Sequence, residues 1–189
     1  MRLPAILLVM ACLLSLAVPA GAVDPTSALM DARLSVTQGK HAEAIARIRE
    51  ALVALYQEAP LACQNLTWIS EAPTGYGRYK PRASNVYAGV EPLILYLEPV
   101  GYSIAPTGGG YRFGLRADFL VINDKNEPLG GAQDFARSQI ETRSPQTEHF
   151  EFFTFNLRQL PPGKYKLQLT LKDQNSSKQV VVTKDFVRQ

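Results

Sequence analysis

The sequence has few of the residues that most often carry chemistry. Among 189 residues there are two cysteines and two histidines, and neither Cys-x-x-Cys nor His-Glu-x-x-His occurs. Because these patterns are absent, the sequence predicts neither a zinc site nor a thiol-redox site. The Gly-x-Ser-x-Gly pattern around a nucleophilic serine is missing too. His41 and His149 are therefore predicted to be structural or solvated, and the protein is predicted to be no enzyme and to bind no cofactor or metal.

Long blocks of one charge are also missing. The formal net charge is +3 and the calculated pI is about 8.9, but lysine and arginine are spread along the chain. No nucleic-acid partner is predicted, because such proteins concentrate their positive charge. Hydrophobic residues make up 46% of the chain, which is enough for the core of one domain with an appendage.

The longest apolar run stands at the N-terminus. Arg2 precedes residues 3–20, which carry no charge, and small residues at 18–22 suit a signal peptidase. Residues 1–22 are therefore predicted to be a secretory signal peptide, and the mature protein to be periplasmic or secreted with no membrane span. Two alternatives stay open. The run is retained as a membrane anchor, or a lipoprotein-like box ending at Cys12 carries a lipid.

Signal cleavage would leave Cys63 as the single cysteine of the mature chain. A lone thiol cannot form an intramolecular disulfide, so the fold must be stabilised by its core. Cys63 is predicted to be a small buried apolar residue. An intermolecular disulfide and a free thiol remain alternatives.

Residues 23–59 are predicted to form two helices. Thr26 or Ser27 is expected to cap the first helix, which runs to about Gln38 and ends at Gly39. The second helix covers about residues 40–58. Its apolar residues follow helical spacing and form one stripe, made of Ala44, Ile45, Ile48, Ala51, Leu52, Leu55 and Tyr56.

Charged residues on the second helix also have helical spacing. Glu43 and Arg47 lie four positions apart on its polar side and are predicted to pair. The two helices together resemble one tetratricopeptide repeat at Gly39, Ala44, Ile45, Ala51 and Leu52. That resemblance implies a lone helical hairpin packed on the following domain or on a partner, since no second repeat is present. A helical hairpin without repeat ancestry is the alternative.

Residues 60–189 are predicted to form an antiparallel immunoglobulin-like β-sandwich, so the whole chain is mainly β. Hydrophobic and polar residues alternate over residues 111–121 and 165–171, as in strands with one buried face. Turn residues at 123–126 and 161–163 punctuate the pattern. About seven strands without helices between them are typical of immunoglobulin or fibronectin type III sandwiches.

Tyr165 stands just after the Pro-Pro-Gly turn, at the start of a late strand. This placement resembles the tyrosine corner of immunoglobulin-like sandwiches, with an ordinary core tyrosine as the alternative. A wider resemblance rests on segments at 65–68, 75–79, 91–98, 160–165 and 171–173. In this order they resemble a group of uncharacterised exported bacterial proteins, over about residues 63–187. The resemblance implies an extracytoplasmic sandwich without a known enzymatic activity. Residues 90–92 depart from the group's pattern.

One segment is a candidate binding surface. Three cations and two aromatic residues fall within seven positions, namely Tyr76, Arg78, Tyr79, Lys80 and Arg82. Aromatic rings can stack on sugars and cations can pair with carboxylates. Arg112 or Arg116 would extend the surface across the sheet. In the alternative, the tyrosines pack into the sandwich and the cations are only solvated.

These observations predict a non-enzymatic, extracytoplasmic binding or scaffold module of the bacterial cell envelope. Its partner is expected to be another envelope protein, contacted through the hairpin, a sandwich surface or an open strand edge. A carbohydrate- or peptidoglycan-binding module is the first alternative, and an enzyme of unrecognised type is the second. The sequence leaves the partner's identity and the oligomeric state open.

Overall fold

A computed structural model describes residues 23–189, so the predicted signal peptide and Cys12 lie outside the described residues. The described chain is mainly β with two N-terminal helices, as predicted. The helices are α1 (Pro25–Thr37) and α2 (His41–Glu58). The strands are β1 (Ala62–Ile69), β2 (Val86–Tyr87), β3 (Leu93–Val100), β4 (Ala105–Thr107), β5 (Gly110–Asn123), β6 (Pro128–Thr142), β7 (Glu151–Phe155), β8 (Gly163–Asp173) and β9 (Gln179–Arg188).

The cap of α1 differs from the prediction. Asp24, rather than Thr26 or Ser27, is the N-cap, and its carboxylate accepts hydrogen bonds from the N–H of Ser27 at 2.8 Å and of Thr26 at 3.4 Å. The predicted caps are thus the donors. The helix begins earlier because Pro25 has a fixed φ and no N–H, which suits the first helical position. Gly39 ends the turn with φ 71°, as expected.

The two helices meet through small side chains. Their buried residues include Ala28, Ala32 and Ser35 of α1 and Ala44 and Ala51 of α2, all at most 5% exposed. Small residues let helix axes approach closely. The large residues of the predicted α2 stripe are therefore not needed between the helices, and most of them stay outside.

The predicted pair on α2 is wrong. Arg47 donates to Glu50 Oε2 at 2.8 Å and not to Glu43. Residues three and four positions apart both neighbour Arg47 on a helix, so spacing alone could not decide between them. The sheet direction needs a similar correction. All strand pairs are antiparallel except β2 with β9, which is parallel, because alternating hydrophobicity carries no signal of strand direction.

Two sheets share one core. The smaller sheet has the order β1-β3-β7, and the larger has β2-β9-β8-β5-β4 with β6 also paired to β5. The alternation predicted on β8 is confirmed, since Leu167, Leu169 and Leu171 are 0% exposed and Tyr165 is 7% exposed. They join residues of the smaller sheet such as Leu95 in a single cluster. Each fully buried Leu or Phe stabilises the fold by about 1.5–3 kcal/mol.

The hairpin is attached to the β region by the last turn of α2. Tyr56 belongs to the shared core, and its hydroxyl donates to Thr147 O at 2.7 Å. Lys178 Nζ donates to Tyr56 O at 2.7 Å and to Gly101 O at 2.9 Å, which ties the helix end to two loops. In residues 23–189 no helix combines the length and hydropathy needed to cross a membrane.

Candidate functional site

The predicted binding residues lie on a segment that folds back along the edge of the smaller sheet. After β1, the Ser70 N–H donates to Lys80 O at 3.1 Å, and the Arg82 N–H donates to Trp68 O at 2.8 Å. A tight turn between them is closed by the Arg78 N–H, which donates to Gly75 O at 3.0 Å. The segment therefore extends the smaller sheet and presents its turn at the edge.

Arg82 is engaged in contacts with other residues of the chain. Its two terminal nitrogens donate to the two carboxylate oxygens of Glu91 at 2.5 and 3.1 Å, and Nη2 also donates to Val86 O at 2.9 Å. Its guanidinium lies 4.2 Å above the centre of the Tyr87 ring. This bidentate and stacked arrangement is typical of a structural arginine. Arg82 therefore joins the segment to β2 and is not an open cation.

Tyr79 also packs against other residues of the chain. Its ring lies on Tyr96, with centroids 4.1 Å apart, and the buried Tyr96 stacks on Phe150 at 5.7 Å. The Tyr96 hydroxyl accepts from the Gly77 N–H at 2.8 Å, which fixes the turn over the ring. Three aromatic rings thus cover the outer face of the smaller sheet.

The accessible part of the predicted surface is smaller than the sequence indicated. Tyr76 is 40% exposed, and Arg78 and Lys80 are also exposed. Neither cation forms an ion pair with a residue in the described range. Arg112 and Arg116 do not extend the surface, because both lie on β5 in the other sheet and Arg116 is paired with Asp134 at 3.4 Å.

A buried carboxylate that the sequence did not indicate lies beneath this turn. Glu98 is 3% exposed; its oxygens accept from the Tyr96 hydroxyl at 2.7 Å and from Asn65 Nδ2 at 2.6 Å. Desolvation and the nearby carboxylates of Glu98 and Glu148 raise the pKa of Tyr76. No sequence signal could have found the group, because Asn65 is brought to Glu98 by a bulge in β1 where Asn65 has φ 49°.

His149 lies in the core instead of in a catalytic arrangement. It is 8% exposed, and its ring meets Phe113 edge to face at 5.1 Å. Its Nε2 lies 2.9 Å from Glu151 Oε1, and the Ser138 hydroxyl donates to that same oxygen. Because the serine donates to the carboxylate and not to the imidazole, the histidine is not placed to take its proton. In residues 23–189 no three His, Cys, Asp or Glu side chains are grouped to hold a metal ion.

The second candidate surface is on the hairpin. Ala44, Ala51 and Tyr56 of the predicted α2 stripe are buried, whereas its four large aliphatic residues are 40–52% exposed. With residues of α1, the hairpin exposes eight large apolar side chains, namely Leu29, Met30, Leu34, Val36, Ile45, Ile48, Leu52 and Leu55. Where such side chains adjoin, exposed apolar surface usually marks a contact with another molecule.

Two open grooves contribute no further candidate functional residues. One, of about 1050 Å³, lies between α2 and residues 144–148 and has both apolar and charged walls, including Leu52, Pro145 and Glu148. The other, of about 400 Å³, lies on the larger sheet beside Asp118 and Gly131. Hydrogen bonds from the Asp134 N–H and the Lys172 side chain lower the pKa of Asp118, so this carboxylate is already satisfied.

Comparison with known proteins places the chain in no family. No family model and no curated protein matches it. A solved family 123 glycoside hydrolase from Clostridium perfringens matches with a TM-score of 0.38 and 9% identity over 55% of this chain and 22% of that chain. The DNA-bound alkylpurine DNA glycosylase AlkC of Pseudomonas fluorescens matches with a TM-score of 0.35 and 10% identity over 87% of this chain and 43% of that chain. This chain thus spans less than half of either structure, and no functional argument follows from similarities of this size.

Proposed function

We propose that this protein is a non-enzymatic binding or scaffold module of the bacterial cell envelope, located outside the cytoplasm, and that its partner is another envelope protein. The observation that carries the proposal is the apolar surface of the hairpin, with eight large side chains 40–67% exposed. The location rests on the predicted signal peptide at residues 1–22 and on the resemblance to exported bacterial proteins.

The hairpin surface favours binding because it costs free energy when left in water. Burying apolar area stabilises a complex by about 25 cal/mol per Å² before the costs of association. The contact between the helices buries Ala44 and Ala51, whereas Ile48 and Leu52 keep 48% and 40% of their surface exposed. A partner that covers these two side chains would explain why they are exposed in the isolated chain.

We also propose that the β region is an immunoglobulin-like sandwich. Its support is the strand order, with β1-β3-β7 in one sheet and β9-β8-β5-β6 in the other, which corresponds to the two sheets of that fold. The Tyr165 hydroxyl donates to Pro161 O at 2.8 Å, four residues upstream, as in a tyrosine corner. The small buried residues Ala44 and Ala51 likewise support a tetratricopeptide-like ancestry for the hairpin.

Affinity capture tests the proposed function. The tagged protein is crosslinked in cells, purified from the envelope fraction and read by mass spectrometry. We expect one abundant protein partner that is lost in the Ile48→Gln, Leu52→Gln double variant and kept in Ala46→Gln, a matched change at an exposed residue of the same helix. A capture without any partner, or one that the double variant leaves unchanged, contradicts the role of the hairpin.

A glycan-binding module is the second candidate, favoured by the exposed turn of Tyr76, Arg78 and Lys80. An exposed aromatic ring beside two cations that form no ion pair within residues 23–189 suits a sugar polymer that carries carboxylates. Purified peptidoglycan sacculi should co-sediment the protein, and Tyr76→Ala with Arg78→Ala should abolish the effect. Arg112→Ala, which removes an exposed cation from the other sheet, is the control. Equal sedimentation with and without sacculi rules this candidate out.

A further inference from the structure

Six of the exposed apolar residues fall on one side of the hairpin by the helical period, and we term this side the apolar face: Leu29 and Val36 of α1, and Ile45, Ile48, Leu52 and Leu55 of α2. Each is 40–52% exposed. On α2 they are spaced by three, four and three positions, so they follow one side of the helix next to the buried Ala44 and Ala51. Met30 and Leu34 lie on the outer side of α1 and do not belong to this face.

The two helices contribute to the same side of the hairpin. They are joined by three residues, 38–40, and run antiparallel. In that arrangement the side of α1 with Leu29 and Val36 adjoins the side of α2 with Ile45 and Leu52. The charges give an independent check. The helical period places Asp31, Glu43, Arg47 and Glu50 on the opposite side, where Arg47 donates to Glu50 Oε2 at 2.8 Å and the charges of Glu50, Asp31 and Glu43 raise the pKa of Arg47.

The apolar face has a positive rim. Arg33 on α1 and Arg49 on α2 lie just beyond the apolar residues, one at each long edge, by the helical period. Both are exposed, and neither forms an ion pair within residues 23–189. The acidic residues Asp31, Glu43 and Glu50 lie on the other side of the hairpin. The face is thus apolar in the middle with one arginine at each edge, and the groove beyond Arg49 also holds Glu50 and Glu148.

We propose that the apolar face binds an amphipathic α-helix of the partner protein, whose apolar stripe packs between α1 and α2 and whose flanking Asp or Glu residues pair with Arg33 and Arg49. The proposal rests on the proposed function and names the class of its partner. A helix fits because the spacing of Ile45, Ile48 and Leu52 presents a ridge to a helical groove. A second copy fits less well, because it would bring one arginine rim against another.

Site-specific photo-crosslinking in cells tests this interface on the full chain. The photoreactive residue p-benzoyl-phenylalanine replaces Ile48 at the centre of the apolar face. In the control it replaces Ala46, which is exposed on the other side of α2. Crosslinked peptides are sequenced by mass spectrometry. We expect adducts from position 48 to a segment with apolar residues three and four apart and acidic flanking residues, and none of that segment from position 46.

Charge reversal tests the rim. Arg33→Glu with Arg49→Glu should lower the position-48 adduct by roughly fivefold, because exposed ion pairs contribute modestly to affinity. Arg112→Glu on β5 should leave the yield unchanged, and circular dichroism verifies that each variant keeps its helices. Adducts to a second copy, to a segment without acidic flanks, or equally from both positions overturn the inference, as does an absence of adducts. If affinity capture still recovers a partner in any of these cases, the proposed function survives and only the helix-binding inference fails.

Discussion

The hairpin and the β region treat large apolar side chains in opposite ways. In the β region, residues such as Leu95, Leu167 and Leu171 are at most 1% exposed, and they join both sheets in one core. In the hairpin the buried positions are mostly alanine, while Ile48 and Leu52 are 48% and 40% exposed. The large hydrophobic residues of the β region therefore stabilise its own core, whereas those of the hairpin remain partly exposed to solvent.

The largest expected effect tests this difference in burial directly. Leu169→Ala removes a side chain that is 0% exposed and should lower the free energy of unfolding by about 2–5 kcal/mol, because it leaves a cavity. The same substitution at Leu52, 40% exposed, should cost less than about 1 kcal/mol, since the isolated chain leaves much of this residue in water. Urea unfolding followed by tryptophan fluorescence measures both. Similar losses at the two positions would mean that the hairpin face is packed in solution.

The contact between the helices is sensitive to added volume. Ala51 is 1% exposed, so Ala51→Leu forces α1 and α2 apart and should cost about 1–3 kcal/mol. Ala46→Leu makes the same change at an exposed position and should be nearly neutral. Hydrogen exchange of the α1 amides provides the measurement, with faster exchange expected only for Ala51→Leu. Unchanged exchange in that variant would show that the alanines do not hold the helices together.

The contrast also explains what could be predicted from the sequence. Alternation over residues 165–171 predicted a strand with one buried face, because successive side chains of a strand point to opposite faces of its sheet. The stripe on α2 predicted the helix equally well but not its burial, since a stripe has the same spacing whether it meets a sheet or a partner. The sequence left open whether Tyr79 is a surface or a packed ring, and it predicted Arg82 as an accessible or solvated cation, because Tyr96 and Glu91, their partners, are reached only through the tertiary fold.

The junction of the two regions should respond to alkaline pH. Burial raises the pKa of Tyr56 from 10.0 to about 12, because removal from water penalises the charged phenolate, and the neutral hydroxyl donates to Thr147 O. The stability that this group contributes is fully present below pH 10 and is lost as the pH rises towards 12. Tyr56→Phe should cost about 1 kcal/mol at pH 8, and less at pH 11. Unfolding curves of both proteins at the two pH values measure the difference, and a cost that does not shrink at pH 11 contradicts the assignment.

The smallest effect concerns the N-cap of α1, which lies at the end of the antiparallel hairpin where α2 meets the β region, because Val23 lines the groove beside residues 144–148. Asp24→Ala leaves the N–H groups of Thr26 and Ser27 without their carboxylate acceptor and should cost about 0.5 kcal/mol, at the lower end for an N-cap because Pro25 still favours the helical φ. Asp24→Ser keeps an acceptor and should recover most of the loss. Because the side-chain hydrogen bonds of Asp24 stay within the first turn of α1, hydrogen exchange should quicken in that turn and stay unchanged in β8. Faster exchange in both places would mean that the hairpin and the β region unfold as one unit. An effect confined to α1 means that the helix carrying part of the apolar face can open while the shared core stays folded.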